Sequence, residues 1–149
     1  QVCDVPQCPS AYTYSGSSCV RTITYSDSRS WSQGDAPNNA QITTIRIPTS
    51  AGSSGQVDVT LQFRQTGPSC SGQGGCGTSG EINNYVNCDG GSQFNVSAGT
   101  FVSQSVITLR CNAGGLVYVG KTVNGQCCCS SCGRTVTLAS VRYYAPTCR

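Results

Sequence analysis

The stretch Val57-Asp58-Val59-Thr60-Leu61-Gln62-Phe63-Arg64 alternates strictly between apolar and polar side chains. Successive side chains of a β-strand point to opposite faces, so the four apolar residues share one face and the four polar residues share the other. This pattern predicts an antiparallel strand with one face in the core and one face in water. Helical periodicity is nearly absent along the chain, so strands of this kind decide the fold class.

Shorter runs repeat the pattern on both sides of this stretch. Thr43, Ile45 and Ile47 alternate in the same way until Pro48 ends the run. Further strands are predicted over residues 19–25, 93–97, 101–111, 116–119 and 134–144. Roughly six to nine strands with glycine-rich and asparagine-rich turns predict an all-β fold, an antiparallel β-sandwich with long loops and either jelly-roll or immunoglobulin-like topology.

The last predicted strand contains a change of phase. Val136 and Leu138 share one parity, whereas Val141 and Tyr143 share the other. A β-bulge inserts one extra residue and would restore a common orientation. We therefore predict a bulge near residues 139–140 that turns all four apolar side chains inward.

Cysteine is the most unusual component of the composition. The chain has twelve cysteines and no histidine. They are Cys3, Cys8, Cys19, Cys70, Cys76, Cys88, Cys111, Cys127, Cys128, Cys129, Cys132 and Cys148. Adjacent cysteines do not readily bond to each other, so the run 127–129 indicates three separate partners. A zinc site would need a second C-x-x-C or histidines beside Cys129-Ser130-Ser131-Cys132, so six disulfides and no metal are predicted.

Sequence does not fix which cysteines pair. We expect the N-terminal group of Cys3, Cys8 and Cys19 to be bonded to the body of the domain or to the tail near Cys148. The glycine-rich loop with Cys70 and Cys76 is expected to close within itself or onto Cys88. A disulfide between two copies of the chain is a further alternative.

Length and charge restrict the class of protein. We expect 149 residues to form a single disulfide-stapled β-sandwich domain over 1–149, with 1–18 as a candidate N-terminal appendage. The net charge is only +3 and no basic run occurs, so nucleic acid is not an expected partner. No apolar stretch approaches the ~20 residues of a membrane-spanning helix, so membrane insertion is not expected.

Several features indicate an extracellular protein. Methionine is absent and the chain begins with Gln1, which is typical of a mature terminus after removal of a signal peptide. Many cysteines favour an oxidising compartment. The sequon Asn95-Val96-Ser97 predicts glycosylation of Asn95.

The residue inventory argues against an enzyme. Without histidine, Ser-His-Asp and Cys-His catalysis are excluded. Neither a G-x-S-x-G elbow nor a P-loop occurs. A glycosidase would need only two carboxylates. The six carboxylates are Asp4, Asp27, Asp35, Asp58, Glu81 and Asp89. Since Asp58 falls on the polar face of its strand, it is more simply a solubilising charge, and we predict no enzymatic activity.

Residues 26–39 are predicted to form a polar loop around Trp31, the single tryptophan. An aromatic ring among carboxylates, amides and an arginine suits a sugar, whose apolar face packs on the ring while its hydroxyls form hydrogen bonds. The predicted ligand-binding residues are Asp27, Arg29, Trp31, Asp35, Asn38 and Asn39. The alternative is that Trp31 closes the end of the core and its polar neighbours shape turns.

A second polar loop is predicted over residues 81–89. Its oxygen-rich side chains, and those of the first loop, would also suit calcium, although no EF-hand pattern occurs and no cofactor is predicted. The composition favours a secreted recognition or adhesion module that binds glycans, matrix or cell surfaces. The alternative is a self-assembling fibre, coat or matrix subunit, because low charge leaves little repulsion between copies. A protease-resistant defence protein or inhibitor is a third hypothesis.

Overall fold

The structure is a computed structural model that describes residues 7–32, 36–37, 39–53, 55–66, 82–122 and 133–146. Within these ranges nine strands and one short helix are found. The strands are β1 (Thr13–Tyr14), β2 (Cys19–Ser32), β3 (Ala40–Arg46), β4 (Gln56–Thr66), β5 (Ile82–Cys88), β6 (Phe94–Ser97), β7 (Val106–Asn112), β8 (Leu116–Lys121) and β9 (Gly133–Ala145), with α1 (Ala98–Val102) between β6 and β7.

The strands form two antiparallel sheets packed face to face. One sheet has the order β1-β2-β9-β4-β7 and the other has the order β3-β8-β5-β6. β2 pairs with β9, β3 with β8, β4 with β7 and β5 with β6. This nested pairing is that of a long hairpin wound into a double-sheet jelly roll. The predicted all-β sandwich is confirmed, and its topology is jelly-roll rather than immunoglobulin-like.

The core lies between the sheets and is centred on β4. Val57, Val59, Leu61 and Phe63 are all fully buried, as their alternation predicts. β4 pairs with β9 on one side and with β7 on the other, so neither long edge of β4 is exposed. Burying these four side chains supplies several kcal/mol of the driving force for folding, at ~1.5–3 kcal/mol each.

The predicted bulge in β9 is confirmed. Thr60 of β4 lies opposite Ser140, but the next residue, Leu61, lies opposite Leu138. β9 therefore carries one extra residue at Ala139, which reverses the parity of its side chains. The four apolar residues on its two sides, Val136, Leu138, Val141 and Tyr143, are fully buried.

The prediction of a strand that begins at Phe101 is wrong over its first five residues. The chain forms α1 and a turn there, and β7 begins at Val106. The side chain of Ser97 accepts a hydrogen bond from the N–H of Thr100 and so caps the helix. The helix places the Phe101 ring in the core against Phe63, at 5.3 Å between centroids. The Phe101 side chain is therefore buried although its backbone is helical and not extended.

Two disulfides are formed within the described residues. Cys8–Cys19 forms within the N-terminal group of cysteines, so the expectation that these two cysteines bond to the body of the domain or to the tail near Cys148 is wrong. Cys88–Cys111 joins β5 in one sheet to β7 in the other. The pairing of Cys88 with Cys111 shows that the predicted closure of the 70–76 loop onto Cys88 is wrong. The other cysteines, including 127–129, lie outside the described residues. In the candidate N-terminal appendage over 1–18, strand β1 pairs with β2.

Candidate functional site

Three of the residues predicted to bind a sugar lie on β2. The prediction of a loop is wrong over residues 26–32, because β2 continues to Ser32 and remains paired with β9 throughout. Cross-strand hydroxyl pairs explain the difference. The side chain of Ser28 lies 2.7 Å from that of Thr137, and Ser30 lies 2.8 Å from Thr135. Serines that resemble turn formers in the sequence therefore stabilise a strand.

Asp27, Arg29 and Trp31 form a row on one face of β2, opposite Leu138, Val136 and Arg134. We call these three residues the β2 row. Arg29 donates hydrogen bonds to the Asp27 carboxylate and, through Nε, to the Thr44 carbonyl at 3.2 Å. Since Thr44 belongs to β3, the guanidinium closes the side of the sandwich between the two sheets.

Trp31 has a packing role in this row. Its ring meets the ring of Phe101 edge to face, with centroids 6.0 Å apart and planes at 87°. The indole is half-buried and packs against the core. This arrangement corresponds to the alternative in which Trp31 closes the end of the core.

Of the other predicted ligand residues, the structure describes only Asn39. Asn39 is exposed and stands just before β3 with a φ of 57°. Asp35 and Asn38 lie outside the described residues. Among the predicted ligand residues that the structure describes, Asp27, Arg29 and Trp31 share one face of β2, and sugar contact by the six residues stays a prediction.

The second predicted loop is also largely a strand, since β5 spans Ile82–Cys88. The carboxylate of Asp89, which follows it, accepts hydrogen bonds from the Leu116 N–H and the Tyr118 hydroxyl, both at 3.0 Å. The bond to Asp89 raises the pKa of Tyr118 above its ordinary value. Among the described residues no three His, Cys, Asp or Glu side chains gather as a metal site would require.

A buried polar network connects the sheets near Trp31. Arg134 is 1% exposed, and its Nη1 donates to Asn84 Oδ1 at 2.8 Å. Asn84 in turn donates to the Gly120 carbonyl at 3.0 Å, and the neighbouring Lys121 donates to the Ala36 carbonyl at 3.0 Å. The Arg134 guanidinium also lies 4.7 Å from the centroid of the Phe101 ring. Buried polar groups need such partners, so the network is chiefly structural.

A groove opens on the opposite side of the sandwich, where β6 and β7 form the edges of the two sheets. We call it the β6–β7 groove. Its cavity volume is about 320 Å³, at the small end of the range for ligand pockets. The groove is lined by Gln56, Gly90, Gly91, Ser92, Gln93, Phe94, Thr108, Leu109 and Arg110.

The groove combines one aromatic ring with polar side chains. Phe94 is 40% exposed, which is unusual for a phenylalanine. Gln56 donates to the Gly90 carbonyl at 2.9 Å and Gln93 donates to Asn95 Oδ1 at 3.2 Å. Both bonds use side-chain amide N–H groups. The side-chain carbonyl oxygens of the two glutamines are acceptors for a ligand.

The cationic side of the groove is held by an ion pair. Arg110 Nε lies 2.8 Å from Asp58 Oδ1, and its guanidinium lies 5.2 Å from the centroid of the Tyr144 ring. Tyr144 donates a hydrogen bond to Asp58, which raises the pKa of the tyrosine. These contacts restrict the guanidinium of Arg110, and a restrained cation loses less entropy when it binds a ligand.

Gly91 allows the β5–β6 loop to lie close to the Cys88–Cys111 disulfide. A Cβ atom at Gly91 would stand 2.6 Å from Cys88 Sγ and 2.6 Å from the Arg110 carbonyl oxygen. Neither atom belongs to a flexible side-chain tip, so only glycine fits without a shift. The disulfide and this glycine therefore set the position of the groove floor.

The edge of β7 presents backbone groups next to the groove. The Phe63 N–H donates to the Ser105 carbonyl, which fixes the phase of the pairing with β4. By the alternation of antiparallel ladders, Val106, Thr108 and Arg110 then direct their N–H and C=O groups away from β4. The Asn112 N–H follows the same phase, since it donates to the Asp89 carbonyl at 2.7 Å.

The sequence predicted the β6 strand but not the groove. A signal was present, since Phe94 stands alone among Ser92, Gln93 and Asn95. The partners of this segment, Gln56 and Arg110, are distant in sequence and meet it only through the sheet order.

Comparison with protein families, with curated proteins and with solved structures found no match for this chain. No helix in the described part of the chain has the length and apolarity needed to cross a membrane.

Proposed function

We propose that the protein is a secreted, non-catalytic recognition module that binds carbohydrate in the β6–β7 groove. The observation that carries the proposal is the exposed side chain of Phe94 in a groove that is also lined by Gln56, Gln93 and Arg110. The C–H face of a pyranose packs on an aromatic ring, while amides and guanidinium groups bind its hydroxyls.

The shape of the groove suits a small polar ligand. Its volume leaves room for about one or two sugar rings, and it is open to solvent along one side. Double-sheet jelly rolls occur among lectins, which is an argument by fold analogy only.

The groove is a better candidate than the β2 row. In the row the guanidinium of Arg29 already bridges Asp27 and Thr44, and the Trp31 ring already packs on Phe101. In the groove, by contrast, the aromatic ring is 40% exposed. The two disulfides, which are typical of oxidising compartments, support secretion.

Substitution of Phe94 by alanine tests this site. We expect the variant to lose most of its glycan binding, at least about fivefold in Kd, because truncation of a central aromatic residue costs more than 1 kcal/mol. The measurement is a glycan array on the wild type, followed by titration of the best ligand with both proteins.

Tyr14→Ala provides the matched control, because Tyr14 is 42% exposed on β1, away from the groove. The control is expected to bind like the wild type. Equal loss in both variants would contradict a site at Phe94, and a wild type that binds no glycan would contradict carbohydrate recognition.

A second candidate function is self-assembly through β7. The outward backbone groups of Val106 and Thr108 are next to an exposed apolar patch, since Val102 is 54% and Val106 is 57% exposed. Unpaired edges of this kind accept a strand from another molecule. Antiparallel pairing of two β7 strands about Ile107 would place Val106 of one copy opposite Thr108 of the other.

Thr108→Pro tests assembly. Proline removes the outward N–H of Thr108, and it is tolerated in an edge strand where that N–H faces solvent. We expect wild-type dimers in light scattering at high concentration and monomers for the proline variant. Thr108→Ala is the control, because it loses the same side chain but keeps the N–H. A wild type that stays monomeric, or a proline variant that still dimerises, would contradict pairing through β7.

A further inference from the structure

We propose that Asn95 carries an N-linked oligosaccharide that is attached before β6 folds. The proposal rests on the secretion included in the proposed function, but it does not depend on sugar binding by the groove. It concerns a covalent modification of β6, at the residue that follows Phe94.

The folded strand accommodates a glycan at Asn95. Asn95 is exposed, and its neighbour Val96 is fully buried, so the Asn95 side chain points away from the core. β6 pairs only with β5 in the described part of the chain, which leaves space beside this edge. Attachment uses Nδ2, whereas the hydrogen bond from Gln93 is accepted by Oδ1 and is retained.

The same fold prevents attachment after folding. The transferase must reach both the asparagine and the hydroxyl of the sequon serine. Here Ser97 is half-buried, its hydroxyl accepts from the Thr100 N–H at 3.3 Å and lies 3.1 Å from the Thr100 hydroxyl. The core holds the middle residue, Val96, and pairing with Asn84 holds its backbone.

The Cys88–Cys111 disulfide closes a covalent loop that contains the sequon. Cys88 precedes Asn95 and Cys111 follows it, at a sequence separation of 23. Once this bond forms, β6 and α1 are confined between β5 and β7. The order of events is therefore glycan transfer first and folding of β6 and α1 second.

The chemistry of the transfer balances with one co-reactant, a lipid diphosphate-linked oligosaccharide. A bond forms between Asn95 Nδ2 and the anomeric carbon of the sugar. The bond between that carbon and the diphosphate oxygen breaks, and the lipid diphosphate leaves with the electron pair. The amide nitrogen gives up one proton, which the released lipid diphosphate takes up.

The test uses the full chain produced in cells that lack N-glycosylation, then purified with its disulfides formed. Folded protein and reduced, unfolded protein are each incubated with an oligosaccharyltransferase and the lipid-linked donor, and intact mass is measured. We expect the unfolded chain to gain one oligosaccharide at Asn95 and the folded chain to gain none. Failure of the unfolded chain to react would overturn the site, and equal reaction of both forms would overturn the order of events.

Three variants separate the sequon from the helix cap. Asn95→Gln is expected to abolish transfer and leave Tm unchanged. Ser97→Thr keeps both the sequon and the capping hydroxyl, so it is expected to behave like the wild type. Ser97→Ala is expected to abolish transfer and also to lower Tm. Transfer to Asn95→Gln would place the modification elsewhere in the chain and contradict the proposal.

Discussion

Replacing Arg134 with methionine is expected to lower the free energy of unfolding by about 2 kcal/mol, or roughly 4–8 °C in Tm for a domain of this size. Arg134 is 1% exposed, donates to Asn84 Oδ1 and lies over the Phe101 ring. Methionine fills part of the volume but donates no hydrogen bond. The variant thus removes a donor from the buried amide of Asn84, and loss of a buried partner costs more than the bond itself contributes.

The control is Arg142→Met on the same strand. Arg142 is exposed and lies 5.8 Å from the centroid of the Tyr144 ring, so its loss is expected to change stability by no more than about 0.5 kcal/mol. Urea denaturation of both variants is the measurement. If the Arg134→Met variant has the same unfolding free energy as the wild type, Arg134 does not stabilise the sandwich.

A double-mutant cycle with Asn84→Ala isolates the direct contact. We expect a coupling energy of about 1 kcal/mol or more between positions 84 and 134, because the two side chains share a buried hydrogen bond. Additive effects would mean that the two residues act through separate contacts.

The strands of the core could be predicted because their signal is local. In β4 every second residue is buried, and in β9 the change of parity between Leu138 and Val141 required the bulge that is found. The jelly-roll topology could not be chosen in the same way, since it depends on which distant strands pair. β2 with β9 and β3 with β8 are long-range pairs that no local pattern encodes.

The polar segments were harder to predict because the same residues serve in turns and in strands. The sequence predicts Ser28 and Ser30 in a loop, yet their hydroxyls face Thr137 and Thr135 across the sheet. The sequence predicts Phe101 in a strand, yet a helix cap four residues away at position 97 decides its backbone. In both cases the partner that fixes the structure is not visible in the spacing of apolar residues.

The candidate site shows the same limit. The sequence marks Trp31 as a candidate ligand residue because it is the single tryptophan, and in the structure its half-buried ring packs edge to face on Phe101. The sequence does not mark Phe94 as a ligand contact, although it is the aromatic side chain that the groove exposes. Whether a ring packs or stays exposed depends on sheet edges, and these are known only from the strand order.

Removal of the Cys88–Cys111 disulfide by alanine at both positions is expected to cost about 3.4 kcal/mol from chain entropy alone, for a separation of 23 residues. Removal of Cys8–Cys19, with a separation of 11, is expected to cost about 2.8 kcal/mol. Both double variants keep an even number of cysteines, so each serves as the control for the other. Urea denaturation without reductant, with thiol titration, gives the comparison.

The two disulfides should differ more clearly in ligand binding than in stability. Cys88 Sγ supports the floor of the β6–β7 groove, because Gly91 packs directly against it. Cys8–Cys19 lies at β2, outside the set of residues that line the groove. We therefore expect Cys88→Ala/Cys111→Ala to weaken glycan binding at temperatures where it is still folded, and Cys8→Ala/Cys19→Ala to bind like the wild type. If both double variants bind equally well, the position of the groove floor does not depend on a disulfide. That result would contradict a role of Cys88–Cys111 in ligand binding.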